Sequence, residues 1–268
     1  PGGRSATRVL AELLSNERQV WLEAQGQADH RALGRFLSLD LPGLDNVLLC
    51  DLAPASLLAP PRIAVFCSAL AIPELSGDGE YGRPMAACLA AMAPDSLVVI
   101  DGDDPGLAPL VADCPCPVIR CGFGPDNDIR GAELTMDGDG SYFSLCLEGE
   151  KWLLHSPLLG REQATAMLMA AAICRYLGGS LAGLFSQLDC LRPEPGHLQL
   201  CQAEGYALID DSAPGGDQRL AGSLAALRAF TCQRRLAVVA GDGAGDEAAL
   251  GESLANACQL IILVDASR

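Results

Sequence analysis

Three short segments of this chain, DNVLLCD, PRIAVFC and SLVVID, each hold an unbroken apolar run: VLLC, IAVFC and LVVI. A strand with one wet face alternates polar and apolar residues, and these do not. Strands that hide both faces belong to a parallel sheet covered by helices on each side. Helical spacing precedes the first of these runs, in DHRALGRFLSL, stopped by Pro42-Gly43, and separates the second from the third, in RPMAACLAAMA. Ahead of them, SATRVLAELLS places Val9, Leu10, Leu13 and Leu14 on one helical face, with Ser5 as its cap, and RQVWLEAQ reads as a short strand. PVIRCGFG continues the sheet.

The texture then changes. IRGAELTMDGDGSYFSLCLEGEKWLLHSP alternates and turns at Asp137-Gly138-Asp139-Gly140 and Glu148-Gly149, which is antiparallel hairpin chemistry near residues 131–157. Asp-Gly-Asp-Gly lacks the further ligands and distal Glu of a calcium loop, so it is read as a plain turn. REQATAMLMAAAICRYLGG is a long helix closed by Gly178-Gly179, and SLAGLFSQLDCL a further helix. After Pro193 and Pro195 a second unit is expected. It holds a hairpin in LQLCQAEGYALIDDS, a helix in GDQRLAGSLAALRAF, and two strands, RRLAVVAGDG and CQLIILVDAS, joined through AALGESLANA. GDGAGD is not G-x-G-x-x-G and reads as a strand-to-helix turn.

At 268 residues, half of them hydrophobic, the chain can build a large core and is not disordered. A net charge of −16 argues against a nucleic-acid surface, which needs clustered Lys and Arg. It leaves open a small anion held by backbone N–H groups at a helix start. The single lysine, Lys151, stands against seventeen arginines, so any chemistry that needs a lysine must use that one or do without. Twelve cysteines are scattered without C-x-x-C spacing, which predicts free thiols in a cytoplasmic protein. No long apolar segment predicts a membrane span. Pro1 at the start and LIILVDASR at the finish are expected of a piece of a longer chain.

The chain opens with PGGRSATRVLAELLS, a Gly-Gly turn running into a helix. Phosphate-binding loops begin this way, and the bland alternative is a helix capped by Gly and Ser. Together with DNVLLCDLAPAS, VVIDGDDP, SPLLGREQATAMLMAAAICRYLGGSL, PEPGHLQL and IDDSAPGGDQRLAGSLAAL, this stretch resembles the Mur ligase family, the ATP-dependent amide-bond ligases of peptidoglycan precursor synthesis. The type that adds D-Ala-D-Ala is the most similar. The resemblance covers nearly the whole chain and rests on six weak motifs in the right order.

The resemblance implies an α/β fold. A parallel-sheet, P-loop-type ATPase domain with an antiparallel hairpin insertion would span 1–192. A smaller, incomplete Rossmann-like domain would span 193–268. It also implies ATP and magnesium as cofactors, and a UDP-sugar peptide precursor bound through an N-terminal domain missing from this sequence. In the family's chemistry a substrate carboxylate takes the γ-phosphate and an amine then displaces phosphate. The protein contributes positioning and positive charge.

Carried over residue by residue, the nucleotide-binding set is Gly2, Gly3, Arg4, Ser5, Ala6, Asp101, Arg161, Gln163 and Asp210, and the metal set is Ser5 and Asp51. Arg4 and Glu74 are the candidate catalytic positions. Arg4 stands where the family has the loop lysine, and its planar fork does not replace a compact charge. Asp51 stands for a metal-binding Glu, and Glu74 for a magnesium-binding His. Met85 stands for a carbamoylated Lys, and Met is no ligand for a hard cation. The family's His-Asn-x-x-Asn becomes Glu162, Gln163 and Ala166; His197 replaces an Arg, and Pro214 and Gly215 replace polar residues. These losses predict that ATP binding is weak or lost and catalysis reduced or lost. The alternatives are an altered but active ligase, a pseudoenzyme that partners or regulates a true ligase, and a nucleotide-binding sensor.

Overall fold

In the computed structural model, the structure describes residues 8–10, 12–13, 19–22, 46–49, 63–66, 89–213, 217–241 and 247–265. Its centre is a six-stranded sheet. The members are β3 (Ile63–Phe66), β4 (Leu97–Asp101), β5 (Val118–Gly122), β6 (Ile129–Asp137), β7 (Gly140–Leu147) and β8 (Glu150–Ser156), side by side in that order. Pairings from β3 to β6 are parallel and those from β6 to β8 antiparallel. The antiparallel insertion expected near residues 131–157 is present. β6 joins β5 through Cys121↔Ile129 and Gly122↔Arg130, and the antiparallel strands extend the same sheet. Two strands before it, β1 (Gln19–Leu22) and β2 (Asn46–Leu49), form a separate parallel pair.

The surroundings of β4 explain the apolar run from Leu97 to Ile100. Leu97 and Val99 enter one core, and Val98 and Ile100 enter a second core on the opposite face. All four are at most 1% exposed, as a strand covered on both sides must be.

The first core is organised by α1 (Arg161–Tyr176), in which every residue from Gln163 to Cys174 is buried. Its run of Ala lets the helix lie close to the sheet, while Met167, Leu168, Met169 and Ile173 fill the space between. Burying each of these four stabilises the fold by roughly 1.5–3 kcal/mol. Helical residues 8–10 and 12–13 add Val9, Leu10 and Leu13 to this core, as their spacing predicts. The helix ends as expected. Gly178 takes φ 72°, and the N–H groups of Gly178 and Gly179 return to the Arg175 and Cys174 carbonyls at 3.1 and 2.8 Å.

SLAGLFSQLDCL forms less helix than its pattern predicts: α2 (Leu181–Phe185) and then a short 3-10 turn at Leu188–Cys190. Ser186 and Gln187 donate back to the Gly183 carbonyl at 2.8 and 3.2 Å, side-chain bonds that compete with helix continuation.

The later elements form their own small sheets. β9 (Gln199–Ala203) and β10 (Tyr206–Asp210) are an antiparallel hairpin. β11 (Leu236–Gly241) and β12 (Leu260–Asp265) pair in parallel, with α3 (Asp217–Ala229) and α4 (Glu247–Ala255) packed on Ala237, Val239 and Ile261 around a third core. DHRALGRFLSL and most of RPMAACLAAMA lie outside the described residues.

Candidate functional site

Parallel strands of an open α/β sheet point their carboxyl ends at one crevice, where ligands of such sheets bind. In this chain the ends of β4 and β5 and the start of α1 meet there. β4 finishes in Asp101-Gly102-Asp103-Asp104. Asp101 Oδ1 accepts from the Asp103 N–H at 3.0 Å, and Asp104 Oδ1 from the Gly106 N–H at 2.9 Å, so two carboxylates fold the loop back on itself.

Asp103 is the hub. Its Oδ2 accepts from the Phe123 N–H at 2.6 Å and from Arg161 Nη2 at 2.8 Å. Its Oδ1 accepts from the Gly124 N–H and from Asn127 Nδ2, both at 2.8 Å. The glycines make this approach possible. A Cβ on Gly122 would lie 2.6 Å from Asp103 Oδ2, and one on Gly102 would lie 1.9 Å from Asn127 Oδ1.

The two acids at the strand end are driven apart. Burial raises the Asp101 pKa to about 6, with help from the Asp103 and Asp104 charges and against the Asp103 N–H bond and Arg161. Asp103 moves the other way. Burial would raise it, but the Phe123 N–H, Arg161, Asn127 and the Gly124 N–H together hold it below the usual carboxylate range.

Arg161 leads α1 and reaches out of it. Its guanidinium bonds Asp103 and stacks over the Phe123 ring, 4.8 Å from the centroid. Beside this stack opens a groove of about 550 Å³, lined among others by Phe123, Pro125, Arg130, Glu133 and Arg161. Two buried amide oxygens, Asn127 Oδ1 and Gln163 Oε1, have no hydrogen-bond partner among the described residues. A buried polar atom left without a partner costs stability, so each of these oxygens calls for a donor beyond the described residues.

Of the positions singled out in the sequence, Asp101 and Arg161 meet through Asp103, and Gln163 is buried in the first turn of the same helix. Asp210 ends β10, on the hairpin beyond the six-stranded sheet, with its Oδ1 taken by the Ser212 N–H at 3.0 Å and its pKa lowered by that residue. Gly2, Gly3, Arg4, Ser5, Ala6, Asp51, Glu74 and Met85 lie outside the described residues. The sequence reading passed over Asp103, Phe123 and Asn127. The signal for them was GFGPDN directly after a strand, an aromatic between two glycines with a turn-forming Asn behind it. Among the described residues no group of three or more His, Cys, Asp or Glu is arranged to hold a metal ion, and no helix is long and apolar enough to cross a membrane.

A crevice at the strand ends is common to open α/β sheets of many functions, and comparison with known proteins shows what this chain is similar to. The diaminopimelate-adding ligase of Bradyrhizobium diazoefficiens, UDP-N-acetylmuramoyl-L-alanyl-D-glutamate--2,6-diaminopimelate ligase, is 30% identical over 151 residues, 54% of this chain and 31% of its own length. Its counterpart in Zymomonas mobilis is 28% identical over 204 residues, 72% of this chain and 42% of the relative. The crystal structure of MurF ligase from Thermotoga maritima in complex with ADP superposes with a TM-score of 0.78 at 18% identity, over 98% of this chain and 64% of that one. No protein-family model matches the chain. The chain is similar to Mur ligases in sequence and in fold, and it spans about a third to two fifths of the length of these curated relatives. These two sequence relatives are diaminopimelate ligases, whereas this solved structure is a MurF ligase.

Proposed function

We propose that this chain is the central and C-terminal part of a Mur-type ligase whose ATP chemistry is reduced or lost, with the central domain at 1–192 and the second at 193–268. The carrying observation is the chain's lysine count. Its one lysine, Lys151, sits on β8 in an ion pair with Glu133 at 2.7 Å, and both positions where the resemblance asks for a lysine hold other residues, Arg4 and Met85.

The described crevice fits the nucleoside end of ATP. An arginine stacked on an aromatic ring, a groove beside it and two unpartnered amide oxygens are what a base and ribose can complete. Arg161, Gln163 and Asp101 would line that end, with Asp210 facing it from the second unit. The amides of Gly2, Gly3, Arg4, Ser5 and Ala6 would cradle the phosphates, and Ser5 and Asp51 would hold magnesium, with Glu74 beside it. ATP supplies a phosphoryl group that activates a carboxylate. Arg4 is the only cation the loop brings to that charge. Each missing charge-stabilising group of this kind typically costs about two to three orders of magnitude in rate.

A second reading, a nucleotide-binding sensor without turnover, draws on the same crevice, where Arg161 and Gln163 would still meet the nucleoside while the cationic positions are substituted. In either case the protein would work in the cytoplasm, on or beside a UDP-sugar peptide precursor, and as a pseudoenzyme it would act through a partner ligase. The test is phosphate release by the full-length protein with ATP, UDP-sugar peptides and either D-Ala-D-Ala or diaminopimelate. The expected rate is background, with weak ADP binding that Arg161→Ala reduces. Substrate-dependent release that Asp51→Ala abolishes would restore the active-ligase reading.

A further inference from the structure

Cys114 and Cys116 flank Pro115 in the turn that leads into β5, and their Sγ atoms lie 3.4 Å apart. Cys116 is buried in the second core with Leu89, Met92 and Val111. Cys114 is at the rim of that core, partly exposed, and its thiol donates to the Leu89 carbonyl at 3.7 Å. The two sulfurs therefore face each other, one open to solvent and one sealed. Two residues of chain span at most about 7 Å, which overlaps the Cα separation that a disulfide accepts. No third metal-binding side chain joins them among the described residues, so the pair is not the start of a zinc site there.

We propose that Cys114 and Cys116 form a redox-active dithiol, a modification site that low-molecular-weight disulfides oxidise reversibly to an intramolecular disulfide. The geometry sets the order of events. The Cys114 thiolate, being accessible, attacks one sulfur of the small disulfide RSSR; the S–S bond breaks, Cys114 carries the SR group and one RS⁻ leaves and takes up a proton. Cys116 then loses its proton and attacks the Cys114 Sγ, expelling the second RS⁻. The net change is two protein thiols and RSSR giving one protein disulfide and two RSH, with the protein oxidised and RSSR reduced. Burial, and then the hydrogen bond and charge of Cys114, push the Cys116 thiol up to about 11, which keeps it from reacting first. Capture of Cys114 removes that neighbouring charge, and a sulfur already 3.4 Å away has the proximity of an intramolecular reaction. This site lies outside the nucleotide crevice and stands or falls independently of it.

The test uses the full chain incubated with oxidised and reduced glutathione at several ratios, quenched in acid and alkylated. The fragment between Met92 and Arg120 contains only these two cysteines and reports on them by mass. The expected result is a fragment that loses two hydrogens, retains no glutathione and takes no alkylating agent, and that returns to two free thiols in excess reduced glutathione. Cys116→Ser should trap glutathione on Cys114, and Cys114→Ser should leave Cys116 unmodified. A stable glutathione adduct on the unmutated fragment, two thiols that stay reduced while exposed Cys190, Cys201 and Cys232 react, or a disulfide from Cys114 to any other cysteine would each overturn the proposal. The unmutated chain alone decides the matter if a serine variant fails to fold.

Discussion

Two acid–base pairs in this molecule have nearly the same length and opposite surroundings. Asp103 and Arg161 are 2.8 Å apart where β4, β5 and α1 converge; Glu133 and Lys151 are 2.7 Å apart on the antiparallel side of the sheet. Asp103 is 21% exposed and also takes two backbone N–H groups and the Asn127 amide. Glu133 is 65% exposed, sits at a bulge with φ 56°, and adds only the Ser144 hydroxyl. Distance does not rank the two. What ranks them is how many groups lose their partner if the acid is removed, and whether water can replace it.

The largest expected effect follows from that difference. Asp103→Ala strands the Phe123 and Gly124 N–H groups and leaves the Asn127 amide with only its bond to the Gly124 carbonyl, and should destabilise the protein by about 2–4 kcal/mol, toward the lower end because water reaches part of the site. Urea unfolding measures it. The depressed Asp103 pKa adds a pH signature. Its contribution is complete above the ordinary carboxylate pKa and is lost as pH falls through the lower folded value. A midpoint shift no larger than that of Lys151→Ala would erase the comparison.

A smaller effect of opposite sign is expected next door. Asp101 has its pKa raised to about 6, so the folded state holds that proton more tightly than the unfolded chain does. Its contribution is complete below the unfolded value and is lost as pH rises through about 6. An Asn at this position keeps an oxygen for the Asp103 N–H. Asp101→Asn should therefore stabilise the protein by about 1–2 kcal/mol at pH 7–8, a figure reduced for the part of the group that water screens. The gain should vanish near pH 4. Thermal melts of both proteins across this range check it, and a gain independent of pH would point to packing and not to charge.

The smallest effect belongs to the exposed pair. Lys151→Ala should leave the urea midpoint and any phosphate release unchanged, because both partners return to water. A loss of release would show that the sole lysine reaches the chemistry after all, and would break the proposed function along with the comparison.

Much of the fold was legible from residue order. The continuous apolar runs of β3 and β4 required two covered faces, and β4 has them in alternate residues. The Gly178-Gly179 stop of α1 and the Asp137–Gly140 turn were local signals, fixed by which backbone angles each residue tolerates. The site was half legible. Asp101 and Arg161 carried a motif resemblance, yet Asp103, Phe123 and Asn127 matter because of partners 20 to 58 residues away, and spacing along the chain carries no record of those.

The sequence by itself determined the alternation of buried strands and helices, the Ala-rich helix, the turn positions and the scarcity of lysine, all properties of neighbouring residues or of composition. Only the tertiary structure decided that the antiparallel strands continue the parallel sheet through β6, that the Asp103 carboxylate accepts four hydrogen bonds from the loop after β5 and the start of α1, and that two neighbouring acids titrate in opposite directions. Those outcomes depend on burial and on donors supplied from distant parts of the chain, and burial exists only once the sheet and α1 have closed over them.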